Sequence, residues 1–138
     1  MKKIFSPAPI WQNGGLFMVR CTLGLFLMYH GWEIFDGSKI NEYLSWDAFK
    51  NSSGEFLVYF GKAGELIAGI LFVLGLFTRI ACLLTIGVMG YISLFLGNGI
   101  IWQNDQHAFL FVLLALAFFF AGPGTISLDH LFNKRRYL

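Results

Sequence analysis

Apolar residues fall into four long runs, at 15–35, 56–77, 80–96 and 108–121, with short polar or glycine-rich breaks between them. A hydrocarbon core about 30 Å thick needs roughly 17–25 apolar residues per helix. The first two runs meet that length. The last two are short but bounded by turn signals, Gly97-Asn98-Gly99 and Asn104-Asp105-Gln106. No alternating barrel pattern is present, so helices are the spanning elements. The pattern predicts an all-α, integral membrane four-helix bundle, with residues 1–138 forming a single four-span domain. The stretch ELIAGILFVLGLFTR, from Glu65 to Arg79, is followed almost at once by ACLLTIGVMGYISLFL, and the pair reads as a transmembrane hairpin.

The segment from Asp36 to Glu55 is the sizeable one outside the spans. Ile40, Tyr43, Leu44 and the stretch Asp47 to Phe49 recur at helical spacing, with Trp46 close by. This predicts a short amphipathic outer-loop helix lying on the membrane surface. A lid over an outward-opening site is the alternative. Gly122-Pro123-Gly124 should end the fourth span, and Ser127 should cap a short helix beyond it.

Composition sharpens the membrane reading. Of 138 residues, 57% are hydrophobic and 13% charged, and the mean hydropathy is +0.64. A soluble domain carries about 25% charged residues, which argues against a wholly buried soluble bundle. The first run follows Lys2 and Lys3, but it is too long for a signal peptide and no small-x-small cleavage site follows it. Lys2, Lys3, Arg79, Lys134, Arg135 and Arg136 fall on one side of a four-span layout. Lys39, Lys50 and Lys62 fall on the other, among Asp36, Glu42, Asp47, Glu55 and Asp105. The positive-inside rule then puts both termini in the cytoplasm of a multi-pass protein. The C-terminal basic trio reads as a topology anchor, so nucleic acid is not an expected partner.

Three stripes of small residues should let the helices approach closely: Gly24 and Gly31 with Arg20, then Gly64, Ala68 and Gly75, then Gly87, Gly90 and Gly97. Cys21 and Cys82 form no C-x-x-C motif and read as packing residues, with a redox pair across spans one and three as the weaker alternative. A phosphate-binding loop, a dinucleotide fingerprint and a nucleophile elbow are all absent from the sequence.

Polar residues inside apolar runs are expensive and are where function is sought. His30 and Glu33 share a face near the outer end of span one. Lys62 and Glu65 lie in the outer half of span two, and Asp105 and His107 at the start of span four. Glu65 should face the bundle interior and hydrogen-bond His30 or Arg20. The candidate catalytic residues are therefore His30, Glu65 and Arg20. The candidate cofactor-binding residues are His30, His107, Glu33 and Asp105. Imidazoles and carboxylates suit proton relay, metal or haem binding, but no dense ligand motif occurs and no metal is assigned.

Three motifs run in order through most of the chain: Arg20-x3-Gly24-x5-His30-Gly31, then Glu65-x3-Gly69 with Leu74-Gly75-Leu76-x-Thr78-Arg79, then Gly122-Pro123-Gly124-x2-Ser127-Leu128-Asp129. In this the chain resembles the DoxX family of four-span bacterial membrane proteins, which are similar to DoxD and thiosulfate–quinone oxidoreductase membrane subunits. The resemblance implies a multi-pass protein of the bacterial inner membrane, serving a quinone- or thiol-linked redox system with quinone as the cofactor. Its partners would be the lipid bilayer and other membrane or redox subunits, with self-association left open. The alternative is a non-catalytic anchor or assembly subunit of a larger complex. One departure stands out: family members often carry a lysine a few residues after the His-Gly pair, where this chain has Glu33-Ile34.

Overall fold

The computed structural model describes residues 8–136 except 98. Lys2, Lys3 and Asn98 lie outside the described residues, as do the side chains of Arg135 and Arg136. The elements are α1 (Gln12–Gly31) running into a 3-10 turn (Trp32–Phe35), α2 (Gly37–Leu44), a second 3-10 turn (Asp47–Phe49), α3 (Gly54–Leu74), α4 (Thr78–Tyr91) continuing as a π-helical segment (Ile92–Leu96), α5 (Gln106–Ala121) and α6 (Leu128–Arg136). Among the described residues there is no strand, as the apolar pattern requires. Each of the four apolar runs becomes a long helix.

Two of these helices, Gly54–Leu74 and Thr78–Leu96, are long and apolar enough to cross a membrane by length and composition. The helix α5 is apolar but shorter, and α1 is diluted by Gln12, Asn13, Arg20 and His30. Large apolar side chains nevertheless point outward from all four: Leu25 and Phe26 on α1, Phe60 and Ile67 on α3, Leu83 on α4, Leu113 on α5. Such continuous apolar exposure suits an apolar surrounding and not water.

Close backbone approach joins α1 to α3. A Cβ on Gly24 would stand 2.7 Å from the Gly69 carbonyl oxygen, and one on Gly69 2.7 Å from that of Gly24. Gly31 abuts the Leu66 backbone in the same way. The first stripe is therefore a packing stripe, but its partner on α3 is Gly69; Gly64 instead faces Val88 of α4. The third stripe does not pack. Gly87 and Gly90 face open space, and the space beside Gly97 is taken by the Asp105 carboxylate. Leu23, Leu27, Ala68, Phe72, Ala115 and Phe118 fill the centre of the bundle. Cys21 and Cys82 are both free thiols, and Cys21 donates a long 3.8 Å contact to the Val73 carbonyl.

At one end of the bundle the three motifs interlock. Gly75, with φ +62°, closes α3, and the Leu76 N–H bonds the Leu71 carbonyl at 3.0 Å in the Schellman pattern. Phe77, itself left-handed with φ 47°, leads directly into α4. Gly122 ends α5 as expected, with φ 77°. Ser127 caps α6, its Oγ accepting from the His130 N–H at 3.2 Å. Asp129 then reaches across to α4: its two carboxylate oxygens accept from the Phe77 and Thr78 amides at 2.7 and 2.9 Å. Arg20 is 1% exposed and donates to the carbonyls of Pro123 at 2.9 Å and Ile126 at 2.8 Å. Asn13 accepts from the Thr125 N–H at 3.2 Å, so the start of α1 and the start of α6 share this end.

At the other end lies the predicted amphipathic helix. Asp36 caps α2 by accepting from the Ser38 and Lys39 amides at 2.9 and 3.4 Å. Those amides and the Ser38 hydroxyl hold its carboxyl below the usual carboxylate range, the hydroxyl contributing most. Ile40 and Phe49 turn inward onto Val58 of α3 and form a second small core, while Trp46 stays half-exposed.

Candidate functional site

Beneath α2, three helices and a turn deliver ionisable groups to one place. Lys62 and Glu65 lie three apart on α3 and so share a face. The Lys62 Nζ stands 3.2 Å from Glu65 Oε2 and 2.8 Å from Glu33 Oε2. Glu33, in the 3-10 turn after α1, also accepts from the Tyr43 hydroxyl at 2.6 Å. The Lys62 ammonium sits 4.7 Å from the centre of the Tyr43 ring, a cation–π contact. A continuous chain thus runs Tyr43–Glu33–Lys62–Glu65, from half-buried to 3% exposed. Two carboxylates share one ammonium here. Burial, with the Glu33 hydrogen bond second, pushes the Tyr43 phenol above its ordinary value, so it remains a protonated donor.

The histidines complete the layer. The His30 and His107 rings lie 5.4 Å apart edge to face, and His107 lies 4.9 Å from Phe111. His30, Glu33, Glu65 and His107 are therefore brought together across α1, the turn after it, α3 and α5; Asp105, the fifth residue that the depth argument put in this layer, borders it.

Two expectations are corrected. Glu65 does face the interior, but it pairs with Lys62 rather than with His30 or Arg20. The ammonium one turn away on the same helix reaches it without crossing the bundle. Arg20 is not in this cluster at all, because the carbonyls freed where α5 ends at Gly122-Pro123 engage it at the opposite end. Asp105 lies at the rim of the layer, where its Oδ2 accepts from the Ile100 N–H at 2.8 Å and fastens the loop before α5.

Sequence reasoning passed over the central part played by Lys62 and Tyr43. The spacing Lys62-x-x-Glu65 was a usable signal for the first. Only the fold brings Tyr43 to Glu33. The lysine that the family pattern places after His-Gly is absent, and the cation beside Glu33 comes from α3 instead.

A cavity of about 630 Å³ opens from this layer between α3, α4 and α5. His30, Lys62, Glu65 and His107 form its polar end; Val58, Leu84, Val88, Met89 and Ile92 form apolar walls. Tyr43, Trp46 and Phe49 roof it. Its size lies in the range of small-molecule sites, which are typically apolar with a few convergent polar groups.

A bundle of apolar helices with a buried ion cluster at one end and an arginine knot at the other belongs to the membrane-associated class. The DoxX family's profile matches residues 15–98, and the chain belongs to that family. An uncharacterized protein of Haemophilus influenzae is 37% identical over 78 residues, which is 51% of this chain and 58% of the relative. The chain thus spans 58% of the length of that curated relative. No solved structure matches it.

Proposed function

We propose that this chain is the membrane component of a quinone-linked redox system, crossing a bacterial inner membrane four times with both termini in the cytoplasm. The observation that carries the reading is the cavity: a lipid-compatible pocket closed at one end by hydrogen-bond donors and a buried carboxylate. At 1.5 Å per residue, the 20 residues of α1 reach about 30 Å and the 16 of α5 about 24 Å. The first matches a hydrocarbon core of about 30 Å; the second is about one turn short of it, and we assign it as the fourth span on its apolar composition. The orientation rests on Arg79 and Lys134, which belong to the end holding the starts of α1 and α6.

The polar end fits a quinone head. Quinone carbonyls need donors, which Lys62, His30 and His107 carry; Glu65 is the group placed to exchange a proton there. When bound, a quinone supplies two-electron, two-proton redox chemistry, with the electrons delivered by a partner subunit of the system. The residues of this chain orient the head, exclude bulk water behind Tyr43, Trp46 and Phe49, and link Glu65 to the outer surface through Lys62, Glu33 and Tyr43.

Purification in detergent, with a visible spectrum and solvent extraction, tests this. Wild type should retain extractable quinone, and Glu65→Gln should fold normally while retaining less. A well-folded, colourless, quinone-free wild type would overturn the proposal in favour of a non-catalytic anchor or assembly subunit. One observation favours that second reading: Arg20, Gly75, Ser127 and Asp129, all motif residues, hold backbone together rather than facing the cavity.

A further inference from the structure

We infer that the cavity is loaded sideways from the lipid, between α3 and α4, and that it selects ligands carrying a long apolar tail. The inference rests on the quinone reading and goes beyond it in naming the route and the part of the ligand that is recognised.

The two ways in differ. On the side of α2 the roof is packed: Phe49 is 7% exposed and sits with Ile40 on Val58. The side between α3 and α4 is built from glycine. Gly61 on α3 and Gly87 on α4 both line the cavity. A Cβ on Gly61 would meet nothing closer than Val88 at 4.0 Å, and one on Gly87 would meet nothing within 4 Å. A glycine inside a helix is less stable than alanine there. These two spend that stability without any backbone approach that needs them, unlike Gly24 and Gly69. What they do is keep a gap open.

The rim of the gap is apolar and turned outward. Phe60, Leu83 and Tyr91 line the cavity and are 57, 59 and 41% exposed on the outer face of α3 and α4. The π-helical segment that follows Tyr91 carries Ile92 and Leu96 into the same wall. Lys62 and Glu65, with His30 and His107, gather at one end of the cavity, so a ring anchored there leaves the mostly apolar remainder for a tail directed at the gap. A tailed amphiphile is already concentrated in the bilayer. Taking it through water would expose every methylene of the tail, each at a cost in free energy.

The test uses two probes with one headgroup, a decyl-substituted dimethoxy-methyl-benzoquinone and the same ring without the tail. The protein is held in lipid nanodiscs, and probe concentrations are corrected for partitioning. Binding is read as quenching of Trp46 in a background with Trp11, Trp32 and Trp102 changed to Phe. Wild type should bind the tailed probe at least tenfold more tightly than the ring alone. Gly87→Phe, which plugs the gap, should weaken the tailed probe tenfold or more and leave the ring within about threefold. Gly61→Leu should repeat the pattern, and serves if Gly87→Phe does not fold. Gly90→Ala, on the same helix but outside the cavity lining, should bind both probes as wild type does.

Equal binding of the tailed probe by wild type and both plugged variants overturns the lateral route and leaves the quinone reading standing. Failure of both probes to bind folded wild type overturns the quinone reading itself. A co-purified phospholipid that neither probe displaces, or a disulfide-linked dimer formed through Gly87→Cys, would give the gap to an acyl chain or to a second copy and overturn the inference.

Discussion

The two ends of this bundle each bury charged side chains in apolar surroundings and solve the problem in opposite ways. At one end the Arg20 and Asp129 side chains are answered by backbone: guanidinium to the carbonyls of Pro123 and Ile126, Asp129 to the amides of Phe77 and Thr78. At the Lys62 end side chains answer side chains, and the arrangement borders a cavity. A charge tied to backbone cannot change partner without unfolding a turn. A charge tied to another titratable group can, whenever a ligand or a proton arrives. The first kind of pairing builds structure, and the second is available for chemistry.

The strongest way to break this contrast is Arg20→Met. It leaves the Pro123 and Ile126 carbonyls without their charged donor, and hydrogen bonds to charged groups contribute roughly 1.5–3 kcal/mol each. Thermal unfolding in detergent should show a loss of about 3 kcal/mol or more, and a silent variant would show that the knot holds nothing. Gly75→Ala should follow at about 2 kcal/mol, because the left-handed backbone costs an L-residue roughly 1–2 kcal/mol. The added methyl would also press on the buried Arg20 guanidinium and Ser127.

At the other end the effects on stability should be smaller. Tyr43→Phe removes the 2.6 Å hydrogen bond to Glu33, whose side chain is 22% exposed. We expect a loss of about 1 kcal/mol, with a larger proportional change in probe binding than Arg20→Lys produces. Comparable binding changes in both variants would erase the distinction between the ends. The smallest expected effect has the opposite sign. Gly90 lies in α4 facing open space, so Gly90→Ala should stabilise by roughly 0.5–1 kcal/mol on helix propensity alone. A loss there would mean that something covers this face in the folded protein.

What was legible from sequence divides along the same line. The four helices, the amphipathic segment at Ile40 and Tyr43, the stop at Gly122 and the Ser127 cap all follow from local pattern and local chemistry. The layer of His30, Glu33, Glu65 and His107 followed from counting depth along antiparallel helices. Arg20 was misplaced because its acceptors are main-chain oxygens more than a hundred residues away. Sequence shows which side chains exist but is silent on which carbonyls a turn leaves unbonded. The glycine stripes were misjudged for a rotational reason: at 100° per residue, Gly64 and Gly69 are about 140° apart around α3, so only one of them can face α1.

The cap on α4 has a consequence for how the protein is made. Its first amides are satisfied by a carboxylate 52 and 51 residues further along the chain. A chain emerges from the ribosome N-terminus first, at about 5–20 residues per second. The hairpin of α3 and α4 therefore emerges with the amides at its tight turn unpaired, and they stay so until Asp129 has been synthesised. The last short helix acts as a latch on assembly: a chain released before it has both helices of the hairpin but not the carboxylate that closes the turn between them.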